Sequence, residues 1–304
     1  MGVDPLSETR RARVGRHPAA GGLALGALGV LGFSFSFPAT KLAVADLHPW
    51  FVAFGRAAVA ALLAVAVLAA TRAPWPTRQQ WRRLTIVAGG VIVGFPLFSS
   101  IGLQTADSAH GAVVIAVLPA ATAVAAVLRA GERPSVGFWA AALAGLAVVV
   151  AFAASQSSGG LTAADAWFLA AVVVCAFGYA EGGALARELG GARTICWALV
   201  LAAPLCLPVA VLSASGAGSA GRDAWLGFAY VSVVSMFLGF FAWYAGLARG
   251  GVAHVSQVQL AQPLLTLAWS ALVLGEHVGP WTLAAAVAVL ACVALTQRAR
   301  VARA

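Results

Sequence analysis

Charge is the first thing this 304-residue chain is short of. Only 10% of its residues are Asp, Glu, Lys or Arg, where a soluble domain carries about a quarter, so a water-soluble globule is excluded. Acidic residues are scarcest, 10 against 19 basic ones. Cysteine is rare as well: Cys175, Cys196, Cys206 and Cys292 all lie within apolar stretches. None has a metal-ligand spacing or a loop partner, which argues against disulfides and zinc. Enzyme signatures are missing too, with no Gly-rich phosphate loop, no His-Glu-x-x-His pair and no Gly-x-Ser-x-Gly elbow. No catalytic residue, metal or cofactor is therefore expected.

What fills the chain instead is apolar: 62% hydrophobic residues and a mean hydropathy of +0.92. A membrane-spanning helix needs roughly 17–25 apolar residues. Runs of that kind occur at 20–40, 50–71, 84–103, 110–128, 137–154, 166–186, 195–212, 224–247, 252–273 and 280–296. These predict an all-α polytopic membrane protein of ten transmembrane helices, with the lipid bilayer as its first partner.

The few charges record orientation, because loops on the cytoplasmic side carry the excess of Lys and Arg. Residues 1–19 form a basic tail with Arg10, Arg11, Arg13 and Arg16. It precedes a full-length span and lacks the short apolar region and cleavage site of a secretory signal, so it is expected to be an uncleaved anchor. With that tail inside, sixteen of the nineteen basic residues fall on the inner side. Lys41 and Arg222 fall outside and Arg56 within a helix. Both termini are thus expected in the cytoplasm, in a cell (inner) membrane. The net charge of +9 follows from this topology and requires no nucleic acid.

A stretch of the chain occurs twice. Residues 101–134 and 245–278 align without a gap at a spacing of 144, which pairs Gly102 with Gly246, His110 with His254, Pro119 with Pro263, Thr122 with Thr266, and Gly131-Glu132 with Gly275-Glu276. Apolar matches arise easily in such a chain, but paired His, Pro, Thr and Gly-Glu do not. The spacing covers five helices, an odd number, so the two copies run through the membrane in opposite senses. This predicts two inverted five-helix repeats at 20–155 and 166–297, a polar linker at 156–165 and a C-terminal cytoplasmic tail at 298–304. Inverted repeats are common in secondary transporters, where the substrate site lies near the midplane between the halves.

These motifs resemble the drug/metabolite transporter superfamily and, within it, the EamA-type transporters. The resemblance covers roughly residues 20–297 and rests on Pro119 with Gly131-Glu132 and Pro263 with Gly275-Glu276. The Phe-rich first helix ending in Lys41, and Arg56 in the second helix, are also similar to the family's first repeat. It implies ten helices in two repeats and efflux of small organic solutes: metabolites, amino acids or amphipathic drugs. A non-transporting membrane receptor or scaffold is the alternative, though it leaves the polar face of the ninth helix without a purpose.

Several residues are candidates for a substrate cavity. Pro119 and Pro263 sit mid-span, where each frees the carbonyl four residues earlier and kinks the helix, either for packing or to shape a cavity. In the ninth helix Ser256, Gln259, Gln262, Thr266 and Ser270 share one face. Such a stripe must face the bundle or a cavity, or serve as hydrogen-bonding glue between helices. The first copy lacks it. Phe37, Tyr179 and Trp243 are aromatics that either pack or line a cavity. Glu181 lies inside the sixth helix with no evident cation nearer than Arg187. It is expected to couple protons or bind a substrate amine, against a structural hydrogen bond. Glu132, Glu276, His110 and His254 are read as structural, the two carboxylates favoured by the N-terminal end of the helix that follows each of them. Lys41 and Arg56 belong to the same structural motif. Small residues, Gly22 with Gly26, Ala141 with Gly145 and Ala284 with Ala288, allow close helix approach within the monomer or in a homodimer.

Overall fold

The computed structural model describes residues 16–130, 133–156, 161–250, 256–299 and 301–302. It is helical apart from a two-residue antiparallel bridge between Arg133–Pro134 and Val301–Ala302. Among the described residues seven helices are long and apolar enough to cross a membrane: α1 (Gly21–Asp46), α2 (Pro49–Ala70), α3 (Arg78–Thr105), α4 (Ser108–Leu128), α6 (Ala163–Leu189), α7 (Gly191–Leu212) and α8 (Arg222–Gly246). Three shorter apolar helices, α5 (Val136–Phe152), α9 (Val258–Leu274) and α10 (Pro280–Leu295), complete the ten.

Several helices outrun the apolar stretches that announce them, because their caps lie in polar sequence. At the start of α3, Thr77 Oγ1 accepts from Gln80 N (3.3 Å) while Gln80 Oε1 accepts from Thr77 N (2.9 Å). Thr162 and Asp165 form the same reciprocal box ahead of α6. Each box satisfies two backbone N–H groups that a helix start would otherwise leave open. Gly190, at φ +85°, lets α6 turn straight into α7, and Gly275, at φ +65°, ends α9.

Packing follows the duplication. α2 lies against α7, α4 against α9 and α5 against α10, each helix on its own counterpart, while α1 against α8 mirrors α6 against α3. This is what a two-fold axis in the membrane plane requires, and the fold is two inverted five-helix repeats. Glycine permits the α1–α8 contact: a Cβ on Gly246 would come within 2.7 Å of Gly26 N, which places the small-residue pair of α1 in a helix interface inside the monomer. At the α5–α10 interface a Cβ on Gly145 would stand 3.2 Å from Cys292 Cβ.

Contacts group the loops into two ends. At the arginine-poor end, Lys41 Nζ donates to Ala106 O (2.7 Å), Gly221 N donates to Asp46 Oδ2 (2.8 Å) and Trp281 Nε1 donates to Ser155 Oγ (2.7 Å). At the arginine-rich end, Arg83 pairs with Glu181 and Glu188, and the Arg133 bridge holds the α4–α5 connection beside the C-terminus.

Among the described residues five helices are interrupted. α1 breaks at Phe35, α4 at Ala116–Val117 and α9 begins as a 3₁₀ segment over Ser256–Ala261, while α3 and α8 carry π-helical turns at Ala88–Gly94 and Tyr230–Leu238. Proline explains most of them, since a ring nitrogen cannot bond the carbonyl four residues back. Pro38 frees Ser34 C=O, Pro96 frees Ile92, Pro119 frees Ile115 and Pro263 frees Gln259. Tyr230–Leu238 contains no proline; its bulge stands at the repeat position of the one in α3.

Candidate functional site

The interruptions converge on one cavity between the two halves. It is lined by α1, α2, α3 and α4 from the first repeat and by α6, α8 and α9 from the second. The uninterrupted α5 and α10 contribute nothing to it. Irregular backbone at membrane depth is tolerated where it is buried in protein or faces such a space, and π-bulges are frequent at functional sites. The cavity has room for a few water molecules.

Its two walls differ in chemistry. α9 presents Gln259, Gln262 and Thr266 beside Pro263, whereas α4 presents Ala112, Ile115 and Leu118 beside Pro119. At the repeat spacing Gln259 corresponds to Ile115 and Gln262 to Leu118. The same asymmetry recurs elsewhere in the lining. Ser235 of α8 faces the cavity where its counterpart in α3 is Val91, and Arg56 of α2 does so where α7 carries Val200. Phe33, Phe37, Phe95, Tyr179 and Phe240 supply the aromatic part of the lining.

Arg56 is only 4% exposed. Its Nη2 donates to Ser235 Oγ at 2.9 Å, and Ser235 Oγ bonds Ser36 Oγ at 2.7 Å. Among the described residues its Nε has no hydrogen-bond partner, and no carboxylate stands within ion-pair distance of it. An arginine placed at the centre of a membrane helix costs about 3 kcal/mol even on the lenient insertion scale, so this group is retained against a penalty. Sequence reasoning put Arg56 in a structural motif and overlooked Ser36 and Ser235. The serines carry little signal alone, being small polar residues within spans. Their pairing across 199 residues is visible only in the fold.

The remaining candidates divide. Gln259, Gln262, Thr266, Pro263, Pro119, Tyr179 and Phe37 come together in the cavity lining. Within the α9 stripe, hydroxyls also bond across helices: Thr266 Oγ1 donates to the freed Ser34 C=O (2.7 Å), and Ser270 Oγ bridges Ser108 Oγ (3.0 Å) and Thr266 C=O (2.9 Å). Trp243 is buried outside the lining, with its ring 6.3 Å from Phe33. The side chains of Ser256, Glu132 and His254 lie outside the described residues.

Glu181 requires a correction. It stands apart from the cavity lining, paired with the Arg83 guanidinium, which also reaches Glu188. α3 and α6 run antiparallel, so a residue one turn into α3 meets one near the far end of α6.

Glu276 also acts elsewhere than expected. Its two carboxylate oxygens accept from Ser108 N (2.9 Å) and Ala109 N (2.7 Å), capping α4 in the opposite half and not the helix that follows it. The favourable dipole is the same; the helix is different. His110 Nε2 bonds Asp165 Oδ1 (2.6 Å) and stacks on Phe152, tying α4 to α6. Among the described residues no group of His, Cys, Asp and Glu could hold a metal ion.

A ten-helix membrane bundle whose broken helices surround a cavity between inverted halves defines a class, that of membrane transporters. The model of the EamA-like transporter family matches residues 20–153 and again residues 162–298, and the chain belongs to that family. It is 47% identical over 275 residues to the "Uncharacterized transporter YdeK" of Bacillus subtilis (strain 168), covering 90% of this chain and 96% of that protein. A solved structure described only as "Crystal structure of protein" is 18% identical, with a TM-score of 0.64 over 91% of this chain and 96% of that one. That likeness concerns the fold alone.

Proposed function

We propose that the chain is a secondary transporter that exports small organic solutes across a cell (inner) membrane by alternating access. The arginine-rich end faces the cytoplasm, with both termini on that side. The observation that carries this reading is the convergence of five interrupted helices on one cavity lined from both repeats. Broken helices supply hinges, and a cavity shared by two inverted halves is closed at one end or the other as the halves rock. Amphipathic lining suits metabolites, amino acids or drugs of modest size.

The test is flux. The full chain in proteoliposomes, offered a panel of labelled amino acids, organic acids and amphipathic amines, should show saturable uptake of at least one member. Folded protein that moves none of them favours the receptor or scaffold alternative. Orientation is checked separately by cysteine labelling with an impermeant reagent. Loops 155–165 and 213–223 should react from outside only, and loops 72–83 and 129–136 from inside only; labelling of 129–136 from outside contradicts the assignment.

A further inference from the structure

We propose that the cavity takes a solute bearing a carboxylate on an apolar body, with the carboxylate on Arg56 and the body against α4. This rests on the transporter reading and adds a substrate class to it. Three independent features of the lining point to that chemistry.

The first is the unmatched cation. Arg56 lines the cavity, is 4% exposed and spends one N–H on Ser235, while its Nε is without a partner among the described residues. A guanidinium presents a planar fork that matches a carboxylate with two parallel hydrogen bonds. A buried charge calls for a counter-charge, and the described residues supply none here. A carboxylate entering with the solute completes the pair, and it displaces only the few waters the cavity has room for.

The second is the sign of the rest of the lining. Among the described residues neither Asp nor Glu lines it; Glu181, the acidic candidate from sequence, is paired with Arg83. A cationic solute would meet Arg56 with nothing to offset the repulsion. The third is amphipathicity. Ala112, Ile115 and Leu118 form an apolar wall, with Phe33, Phe37 and Phe240 beside it, while Gln262 brings a side-chain oxygen that is unpartnered among the described residues. That amide can also turn to offer its donors, so it suits a hydrogen-bonding group next to the carboxylate.

A matched set of ligands tests this without relying on any variant. Binding of phenylacetate, phenylacetamide and phenethylamine is measured on the full chain in lipid nanodiscs, from intrinsic tryptophan fluorescence and by competition with radiolabelled phenylacetate. The acid should bind at least about tenfold more tightly than the amide or the amine, the scale set by a desolvated charge pair. Arg56→Gln should abolish that preference and Arg56→Lys retain part of it, since lysine keeps the charge and loses the fork. Equal binding of acid and amide overturns the inference, as does failure of the acid to bind. Chloride or inorganic phosphate competing as well as phenylacetate overturns the apolar half of it. Arg56-independent flux of an amine keeps the transporter reading and discards the anion; saturable acid binding with no flux of any panel member does the reverse.

Discussion

α4 and α9 are two versions of one helix. Each breaks just before a proline, Pro119 or Pro263, each carries a threonine three residues later, and each runs toward a Gly-Glu pair. Yet the face turned to the cavity is Ala112, Ile115 and Leu118 in one and Gln259, Gln262 and Thr266 in the other. Their threonines differ too: Thr266 Oγ1 bonds the freed Ser34 carbonyl, whereas Thr122 Oγ1 has no hydrogen-bond partner among the described residues. Backbone interruption has been kept in both copies while side-chain polarity has diverged. Pro119 and Pro263 are thus shared by the two copies, whereas the polar residues beside Pro263 are not.

The comparison can be erased by giving α9 the residue that α4 carries. Gln262→Leu installs the counterpart of Leu118, removes a hydrogen-bonding group and changes volume little. Transport should fall severalfold, up to about tenfold, because a polar contact to the solute is worth about 0.5–1.5 kcal/mol. Folded yield in the membrane should hold. Equal loss of yield and transport would instead assign Gln262 to helix packing.

A smaller effect is expected where the halves are latched together. Glu276→Ala removes both acceptors for Ser108 N and Ala109 N at the start of α4, a cap worth about 1–2 kcal/mol. Detergent-solubilised protein should unfold at a lower temperature while the apparent KM for solute stays near wild type. A large change in KM with unchanged unfolding would place Glu276 at the substrate.

The smallest effect contrasts the cavity with the ion-paired end of α3 and α6. Glu181→Gln leaves a hydrogen-bonding group for Arg83 and removes only the charge. The pH profile of transport should match wild type, with at most a modest loss of stability, since Glu188 still faces the same guanidinium. A shifted profile would return Glu181 to a coupling role.

Much of this architecture is legible in the sequence because membranes enforce simple rules. Ten apolar runs announce the crossings, and an odd number of helices per repeat gives the inversion. Pro119 and Pro263 mark two of the breaks directly. The π-helical turn at Tyr230–Leu238 leaves no such mark, since no residue in it forbids an ordinary helix. Long-range partners were harder still. Ser36 with Ser235, and Arg83 with Glu181, join residues 199 and 98 apart, and each depends on which faces two helices turn to one another. In the second case the antiparallel sense of α3 and α6 already placed both residues toward the arginine-rich end, so the pair was within reach of depth arithmetic applied across helices.

If α9 walls a cavity that opens to each side of the membrane in turn, its cavity-facing residues meet water from both sides. In a background with Cys175, Cys196, Cys206 and Cys292 replaced, a single cysteine at Gln262 is exposed to an impermeant thiol reagent added from one side and then, in separate vesicles, from the other. Reaction from both sides, slowed by transported solute, with a control cysteine at Ala141 in α5 silent from both, is the predicted result. Reaction from one side only, or from neither, would contradict it.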